Sequence, residues 1–311
     1  MFPKINQKFK AYYAPAIETK SLWRLFFGLI ILIAVYIISM LIFFAGAGIY
    51  IGATAELNGI GPGSVETSLG EFLLGTSPGS VIIILISFIG MFLGVFLAVK
   101  LIHKRGLHSL LGPNISDVAT GFRNGFLFLL TISMIAFVVF YFIDPPVKNM
   151  AFSIWMKWML FAIPLVFIQI LSEELIFRGY LQQQLAARFN SRWAWYFLPS
   201  IIFGMLHYDP DNLGSNAVLV VVHTTLFGLI AAEVTARTGN LGTAIGLHFA
   251  NNIYALTVVA LDGPLSGLGL FKTAVHVSNE AAVRSYLLTD LIFIALLYGL
   301  YLLWIKKRPQ L

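Results

Sequence analysis

Two adjacent carboxylates, Glu173 and Glu174, lie in the long apolar segment FAIPLVFIQILSEELIFRGYLQ, and Arg178 follows them one helical turn later. An ionisable group near the centre of a bilayer costs roughly 2.5–3.5 kcal/mol on insertion scales, so such residues mark functional sites. Two histidines occur in equally apolar surroundings, His207 in PSIIFGMLHY and His248 in GLHFANN. Glutamate and histidine side chains within a membrane predict a buried catalytic or ion-handling site.

The two glutamates differ in their position on a helix. Glu174 and Arg178 are four residues apart, with the acid before the base, which is the favourable order for an ion pair on one helix face. We predict that the charges of Glu174 and Arg178 neutralise each other and that this ion pair supports the site. Glu173 lies about 100° round the helix and has no such local partner. A desolvated carboxylate without a counter-ion is a candidate general base for activating water.

The remaining polar residues of these segments suggest donors and a second base. His207 is a candidate for holding and polarising a water together with Glu173. His248 and Asn252 are four residues apart, so both side chains point the same way from one helix. Imidazole and carboxamide N–H groups are donors, and two converging donors form an oxyanion hole. The structural alternative is hydrogen bonding between helices.

Other ionisable residues receive no catalytic role. Three of them lie within or at the ends of apolar spans, and we interpret them as contacts between helices or as cavity lining: His223, Glu233 and Asp290. Three histidines are predicted to lie in loops: His103, His108 and His276.

The composition is that of an integral membrane protein. Hydrophobic residues make up 59% of the 311 residues and charged residues 11%, and the mean hydropathy is +0.86. Segments 25–55 and 72–99 contain no charged residue, and a span needs only about 20 apolar residues. The absence of cysteine excludes disulfides, thiolate zinc sites and a cysteine nucleophile.

These features predict an all-α fold, a polytopic bundle of about eight transmembrane helices that encloses a polar cavity. The expected spans are 25–50, 80–100, 122–143, 158–180, 193–208, 216–236, 241–260 and 285–305. We divide the chain into a basic segment 1–24, a membrane domain 25–305 and a tail 306–311.

The net charge of +6 comes from basic residues at the ends of apolar segments, so it argues for membrane topology and against nucleic-acid binding. The positive-inside rule places both termini in the cytoplasm, because the two terminal segments are basic. Those basic residues are Lys4, Lys8, Lys10, Lys20, Arg24, Lys306, Lys307 and Arg308.

Several protease classes are excluded by their motifs. A zinc protease of the H-E-x-x-H type would need a His-Glu dipeptide, which is absent. A serine type would need G-x-S-G within a span, and the nearest string, GPLSG at 263–267, has the wrong spacing. An aspartyl type would need two buried aspartates, and Asp290 alone qualifies. A water activated by glutamate remains.

Three motifs together resemble a known family. EELIFR at 173–178 fits E-E-x-x-x-R, FGMLH at 203–207 fits F-x-x-x-H, and HFANN at 248–252 fits H-x-x-x-N. In this order they resemble the CAAX-protease and bacteriocin-processing family of intramembrane proteases, the Abi or Rce1-like group. The likeness covers residues 160–258.

The resemblance implies an eight-helix bundle with a cavity open to the cytoplasmic side. It implies that Glu173 activates water together with His207. It implies that His248 and Asn252 stabilise the oxyanion. Glu174 and Arg178 would support the site structurally. These implied roles require no bound metal and no other cofactor. Eukaryotic members remove three terminal residues from prenylated C-a-a-X proteins, and this chain shows no prenyl pocket in its sequence.

We therefore expect an intramembrane endopeptidase that acts on a membrane-associated or lipidated peptide or protein, with membrane lipids as its other partners. The expected location is the inner or plasma membrane of a prokaryote. The runner-up is a metal-dependent protease in which Glu173, His207 and His248 bind a divalent ion such as zinc. A transporter or an immunity protein with a buried polar site is the alternative outside enzymes.

Overall fold

The computed structural model describes residues 6–57 and 62–307, and it describes side chains up to residue 303 except those of 62–64. The basic segment 1–24 and the tail 306–311 are therefore described only in part. Of their basic residues, Lys4 and Arg308 lie outside the described ranges.

The described part of the chain is built from helices, so the predicted all-α class is confirmed. The α-helices are α1 (Gln7–Ile17), α2 (Leu22–Leu57), α3 (Pro62–Leu74), α4 (Pro78–Leu97), α5 (His108–Leu111), α6 (Ile115–Ile143), α7 (Phe152–Glu174), α8 (Gln182–Ala186), α9 (Leu198–Met205), α10 (Pro210–Leu213), α11 (Ala217–Thr238), α12 (Gly242–Ile253) and α13 (Glu280–Lys307). Turns of π-helix occupy Ala98–Ile102, Leu175–Leu181, Trp193–Phe197 and Tyr254–Val258, and 3₁₀ turns occupy Gly214–Asn216 and Ser266–Leu268.

A small sheet lies among the connections between helices. Its strands are β1 (Val147–Lys148), β2 (Val259–Asp262) and β3 (Phe271–His276). The central strand β3 pairs antiparallel with β1 and parallel with β2.

Six helices of the described chain are long and apolar enough to cross a membrane, so the eight predicted spans are not confirmed. The six are Leu22–Leu57, Pro78–Ile102, Ile115–Ile143, Phe152–Ala186, Pro210–Thr238 and Glu280–Leu303. The predicted spans 193–208 and 241–260 correspond to shorter helices. Trp193–Met205 is apolar but short, and α12 has 12 residues. A full crossing takes about 20 residues, so the apolar windows overstated the length of these two helices.

Helix α12 is held close to α6 by paired small residues. A Cβ added to Gly242 would lie 2.0 Å from the carbonyl oxygen of Val118, and one added to Gly246 would lie 2.2 Å from that of Phe122. Small residues four apart allow this backbone approach, which is a common way of packing helices in membranes. The contact fixes α12 just before His248, where it crosses the end of α7.

The end of α7 is enclosed from several sides. Helices α4 and α12 both pack on α7, and α1 packs against α8 and α11. The Tyr12 hydroxyl of α1 lies 3.0 Å from the carbonyl oxygen of Arg178 and 2.8 Å from that of Leu110. The N-terminal helix therefore contacts the π-helical turn that follows the two glutamates.

Candidate functional site

Glu173 and Glu174 are the last two residues of α7, directly before the π-helical turn Leu175–Leu181. A π-helical turn widens the backbone and is frequent at functional sites. Glu174 is fully buried, whereas 8% of Glu173 is exposed. The two adjacent carboxylates therefore have different access to a substrate.

Glu174 forms a buried ion pair with Arg178. The Arg178 Nη1 atom donates to Oε1 of Glu174 over 2.8 Å, and both side chains are almost completely inaccessible. The Arg178 guanidinium also lies over the ring of Phe203, 4.5 Å from its centroid. The four-residue spacing predicted this pair, and the aromatic ring adds a cation–π contact that desolvation strengthens.

His248 contacts both glutamates. Its Nδ1 atom lies 2.8 Å from Oε1 of Glu174, and its Nε2 atom lies 3.7 Å from Oε2 of Glu173. The sequence predicted that Glu173 lacks a charged partner one turn away on its own helix, and His248 comes instead from a different helix. The two residues are 75 positions apart in the chain, so the spacing within α7 carried no signal of this contact.

The ion pair sets the tautomer of His248. A carboxylate bound to a guanidinium is ionised and accepts hydrogen bonds, so the Nδ1 atom of His248 carries a proton and donates it to Glu174. This contact holds the ring with Nε2 directed toward Glu173. A carboxylate that orients an imidazole, which in turn faces a reacting group, is the arrangement of a catalytic triad.

His207 follows α9 and lies beside the same aromatic ring. Its Nδ1 atom lies 2.8 Å from the carbonyl oxygen of Phe203, and a carbonyl accepts, so Nδ1 is the protonated nitrogen. The Phe203 ring contacts both imidazoles, with centroid distances of 4.9 Å to His207 and 5.8 Å to His248. The Nδ1 contact leaves Nε2 of His207 facing away from this carbonyl, while the imidazole contacting Glu173 is that of His248.

Asn252 lies one turn after His248 on α12 and is partly buried. Its carboxamide oxygen accepts a hydrogen bond from Nδ2 of Asn251 over 3.1 Å. With the oxygen engaged, the N–H groups of Asn252 are the part of the amide left for another partner. The sequence interpretation did not single out Asn251, although the Asn-Asn pair in HFANN was its signal.

Gln169 is a second residue of the site that the sequence interpretation missed. Its Nε2 atom donates to Oε1 of Glu173 over 3.3 Å. The four-residue spacing from Glu173 was the available signal, since residues at this spacing share a helix face. Tyr36 of α2 also lies within electrostatic range of Glu173.

His103 lies in the bend that follows the second span, as predicted for a loop residue, but its side chain is buried. His103 is 1% exposed, and its ring nitrogens lie 2.8 Å from the Tyr180 hydroxyl and 3.0 Å from that of Thr19. Burial lowers the pKa of His103 to about 4, with the charge of Arg105 as the next cause. A neutral imidazole at physiological pH therefore joins the π-helical turn after the site to the connection between α1 and α2. His108 begins α5 and His276 ends β3, so the loop prediction is wrong for these two residues.

The other ionisable residues of the spans connect helices, in keeping with their sequence interpretation. His223 of α11 lies 2.6 Å from Asp290 of α13. Glu233 of α11 is bonded to Arg237 on the same helix, to Tyr196 and to Tyr298 of α13.

A cavity of about 1840 Å³ lies among α6, α11, α12 and α13. Its lining includes Leu247 and Asn251 on α12 and Tyr254 directly after this helix, together with His223 and Asp290. Glu173, His207, His248 and Asn252 do not line it. The large cavity lies on another face of α12 and is not the polar cavity that was predicted around the motif residues.

The ligand set of a metal site is not assembled within the described ranges. No group of three histidine, aspartate or glutamate side chains there is close enough together to hold an ion. Glu173 and His248 face each other, and His207 lies across the Phe203 ring from His248.

Comparison with known proteins agrees with the motifs. Residues 155–254 match the family described as type II CAAX prenyl endopeptidase Rce1-like. The chain is 25% identical over 253 residues to the Bacillus subtilis (strain 168) protein named Uncharacterized protein YyaK, an alignment that covers 78% of this chain and 80% of that protein. No solved structure matches. The family match indicates a membrane protease. The resemblance drawn from the three motifs is thereby confirmed, and the matching residues 155–254 are called the Rce1-like region below.

Proposed function

We propose that this protein is an intramembrane endopeptidase that hydrolyses a peptide bond in a membrane-associated or lipidated substrate, using a water activated by glutamate and histidine. The observation that carries the proposal is the contact of Glu173 with His248 at the end of an apolar helix, within the Rce1-like region. The family match supports a protease in general, and the geometry supports these residues as its machinery.

The spacing of the two groups suits one shared water. Oε2 of Glu173 and Nε2 of His248 are 3.7 Å apart, which is long for a direct hydrogen bond. One water can lie about 2.8 Å from both atoms at once. Glu173 removes a proton from this water as it attacks the carbonyl carbon, and a tetrahedral oxyanion forms. The C–N bond then breaks as the proton passes to the leaving amine.

The other motif residues take supporting roles in this proposal. His207 presents Nε2 as a second group for polarising the water, because its Nδ1 proton is bound to a backbone carbonyl. Asn252 donates an N–H to the oxyanion, because Asn251 occupies its carboxamide oxygen. Glu174 acts through His248, whose ring it orients.

The test of this function is cleavage of a defined peptide by the purified protein in detergent or vesicles. The first probe is a farnesylated peptide ending in a C-a-a-X sequence, because the matched family is described as a CAAX prenyl endopeptidase. An amphipathic peptide without a lipid is the second probe. We expect release of a C-terminal fragment, detected by mass spectrometry. Intact peptides in both arms would contradict the proposal.

Metal dependence gives a separate prediction. We expect activity to persist in strong chelators, because a water held by Glu173 and His248 needs no Lewis acid. Metal affinity depends on deprotonated ligands, so an enzyme with a metal site would lose activity in chelator and regain it on addition of a divalent ion. Recovery with zinc would favour the metal-dependent alternative with Glu173, His207 and His248 as ligands.

We also propose that both termini face the cytoplasm. The basic segments around the start of α2 and after the second span lie close together, because Arg24 donates to the carbonyl oxygen of Ile102, and Arg105 donates to Gln183 of α8. The positive-inside rule assigns basic segments to the cytoplasmic side. Reporter fusions after residues 110 and 148 should read inside and outside, respectively. The reverse order would contradict this orientation.

A further inference from the structure

We propose that Gln169 is a positioning residue that fixes the Glu173 carboxylate for its role as general base, an inference that rests on the proposed function. Gln169 lies one helical turn before Glu173 on α7, outside the three motifs. No role follows for it from the family resemblance.

The carboxamide of Gln169 holds one oxygen of Glu173. Its Nε2 atom lies 3.3 Å from Oε1 of Glu173. An ionised carboxylate accepts hydrogen bonds and donates none, so the NH₂ end of the amide faces it. The other oxygen, Oε2, faces Nε2 of His248. The two contacts together define the plane of the carboxylate and leave Oε2 as the oxygen that meets the shared water.

Several other charged and titratable groups surround Glu173. Glu174 and Arg178 belong to the same helical segment, His248 comes from α12 and Tyr36 from α2. Gln169 differs from these groups because it stabilises the ionised carboxylate with a neutral donor that does not itself titrate. Its effect on Glu173 should therefore be visible in the pH dependence of cleavage.

A stability role explains Gln169 poorly. The Oε1 atom of its carboxamide is buried and has no hydrogen-bond partner among the described residues. Leaving a buried acceptor unpaired is unfavourable, so an apolar side chain of the same length would suit the helix at least as well. The amide is useful at this position because of the N–H that it gives to Glu173.

The test compares Gln169→Met with a matched control. Gln182→Met removes another buried amide, whose Nε2 donates to the backbone carbonyl of Ala232 and whose Oε1 also lacks a partner in the described structure. For Gln169→Met we expect kcat to fall about tenfold or more, as for loss of a hydrogen bond to a charged group. KM and Tm should stay unchanged, and the acidic limb of the kcat/KM profile should move to higher pH. Gln182→Met should leave kcat and the pH profile unchanged.

A second variant guards against misfolding of the first. Gln169→Glu keeps the size of the side chain but places a second carboxylate beside Glu173. A second carboxylate makes ionisation of Glu173 less favourable because like charges repel, so the acidic limb of the kcat/KM profile should move to higher pH relative to the native protein. Glu173→Gln in the same assay separates the positioning role of Gln169 from the proposed peptidase function. If Glu173→Gln is inactive while both Gln169 variants keep the native kcat and pH profile, the positioning role is wrong and the proposed function stands. If Glu173→Gln remains active, the proposed function itself fails.

Discussion

Glu173→Gln should abolish peptide cleavage while leaving the protein folded. Glutamine keeps the shape of glutamate, but its amide does not accept the proton of the attacking water. A general base contributes about 10²–10⁴ to the rate, so turnover should fall by at least this factor. Glu173 is partly accessible and does not belong to the Glu174–Arg178 ion pair, so the melting temperature in detergent should change little.

A matched substitution at another glutamate shows whether the loss of cleavage is specific to Glu173. Glu71→Gln makes the same chemical change on an exposed residue of α3, and it should leave cleavage unchanged. Both proteins are to be compared for cleavage, substrate binding and melting temperature. Near-native cleavage by Glu173→Gln would show that the glutamate-base mechanism is wrong, and the polar cluster would then be structural or part of a transport path.

Local spacing made part of this site predictable. Glu174 and Arg178 face each other because residues four apart share a helix face, and this rule needs no knowledge of the rest of the fold. The contact of Glu173 with His248 joins α7 to α12 across the bundle. Such a contact depends on how helices pack, here on the glycine-lined approach of α12 to α6, so the spacing of residues within one helix did not predict it.

Hydropathy was a good guide to long helices and a poor guide to short ones. A window of apolar residues identifies a segment that avoids water, but it does not say whether the segment crosses the bilayer or packs among other helices. Helix α12 is apolar because it packs among other helices, since Ala244, Ile245 and Ala250 are buried inside the protein. His103 is a loop residue, but the sequence did not predict its burial, because Tyr180 and Thr19 cover it from other parts of the chain.

The second large expected effect is on stability. It separates two functions of Glu174, which are to compensate the charge of Arg178 and to orient His248. Glu174→Gln leaves the Arg178 guanidinium buried without a counter-ion, and breaking a buried pair in this way costs roughly 3–5 kcal/mol. We expect a clearly lower melting temperature, with cleavage falling as well. Arg178→Met should destabilise the protein for the converse reason, because it leaves the Glu174 carboxylate buried beside His248 without the guanidinium.

The double variant Glu174→Gln/Arg178→Met decides what Glu174 does beyond neutralising Arg178. Replacing both members of a buried ion pair is often neutral or stabilising, so most of the lost stability should return. Cleavage should not return, because His248 still lacks the carboxylate that fixes its proton on Nδ1 and directs Nε2 toward Glu173. Loss of an orienting carboxylate in a serine protease costs about 10⁴ in kcat, and a deficit of at least about 10² is expected here by the same reasoning. Melting temperature and kcat measured on all three variants show whether Glu174 also orients His248. A double variant that regained both stability and activity would limit Glu174 to compensating the charge of Arg178.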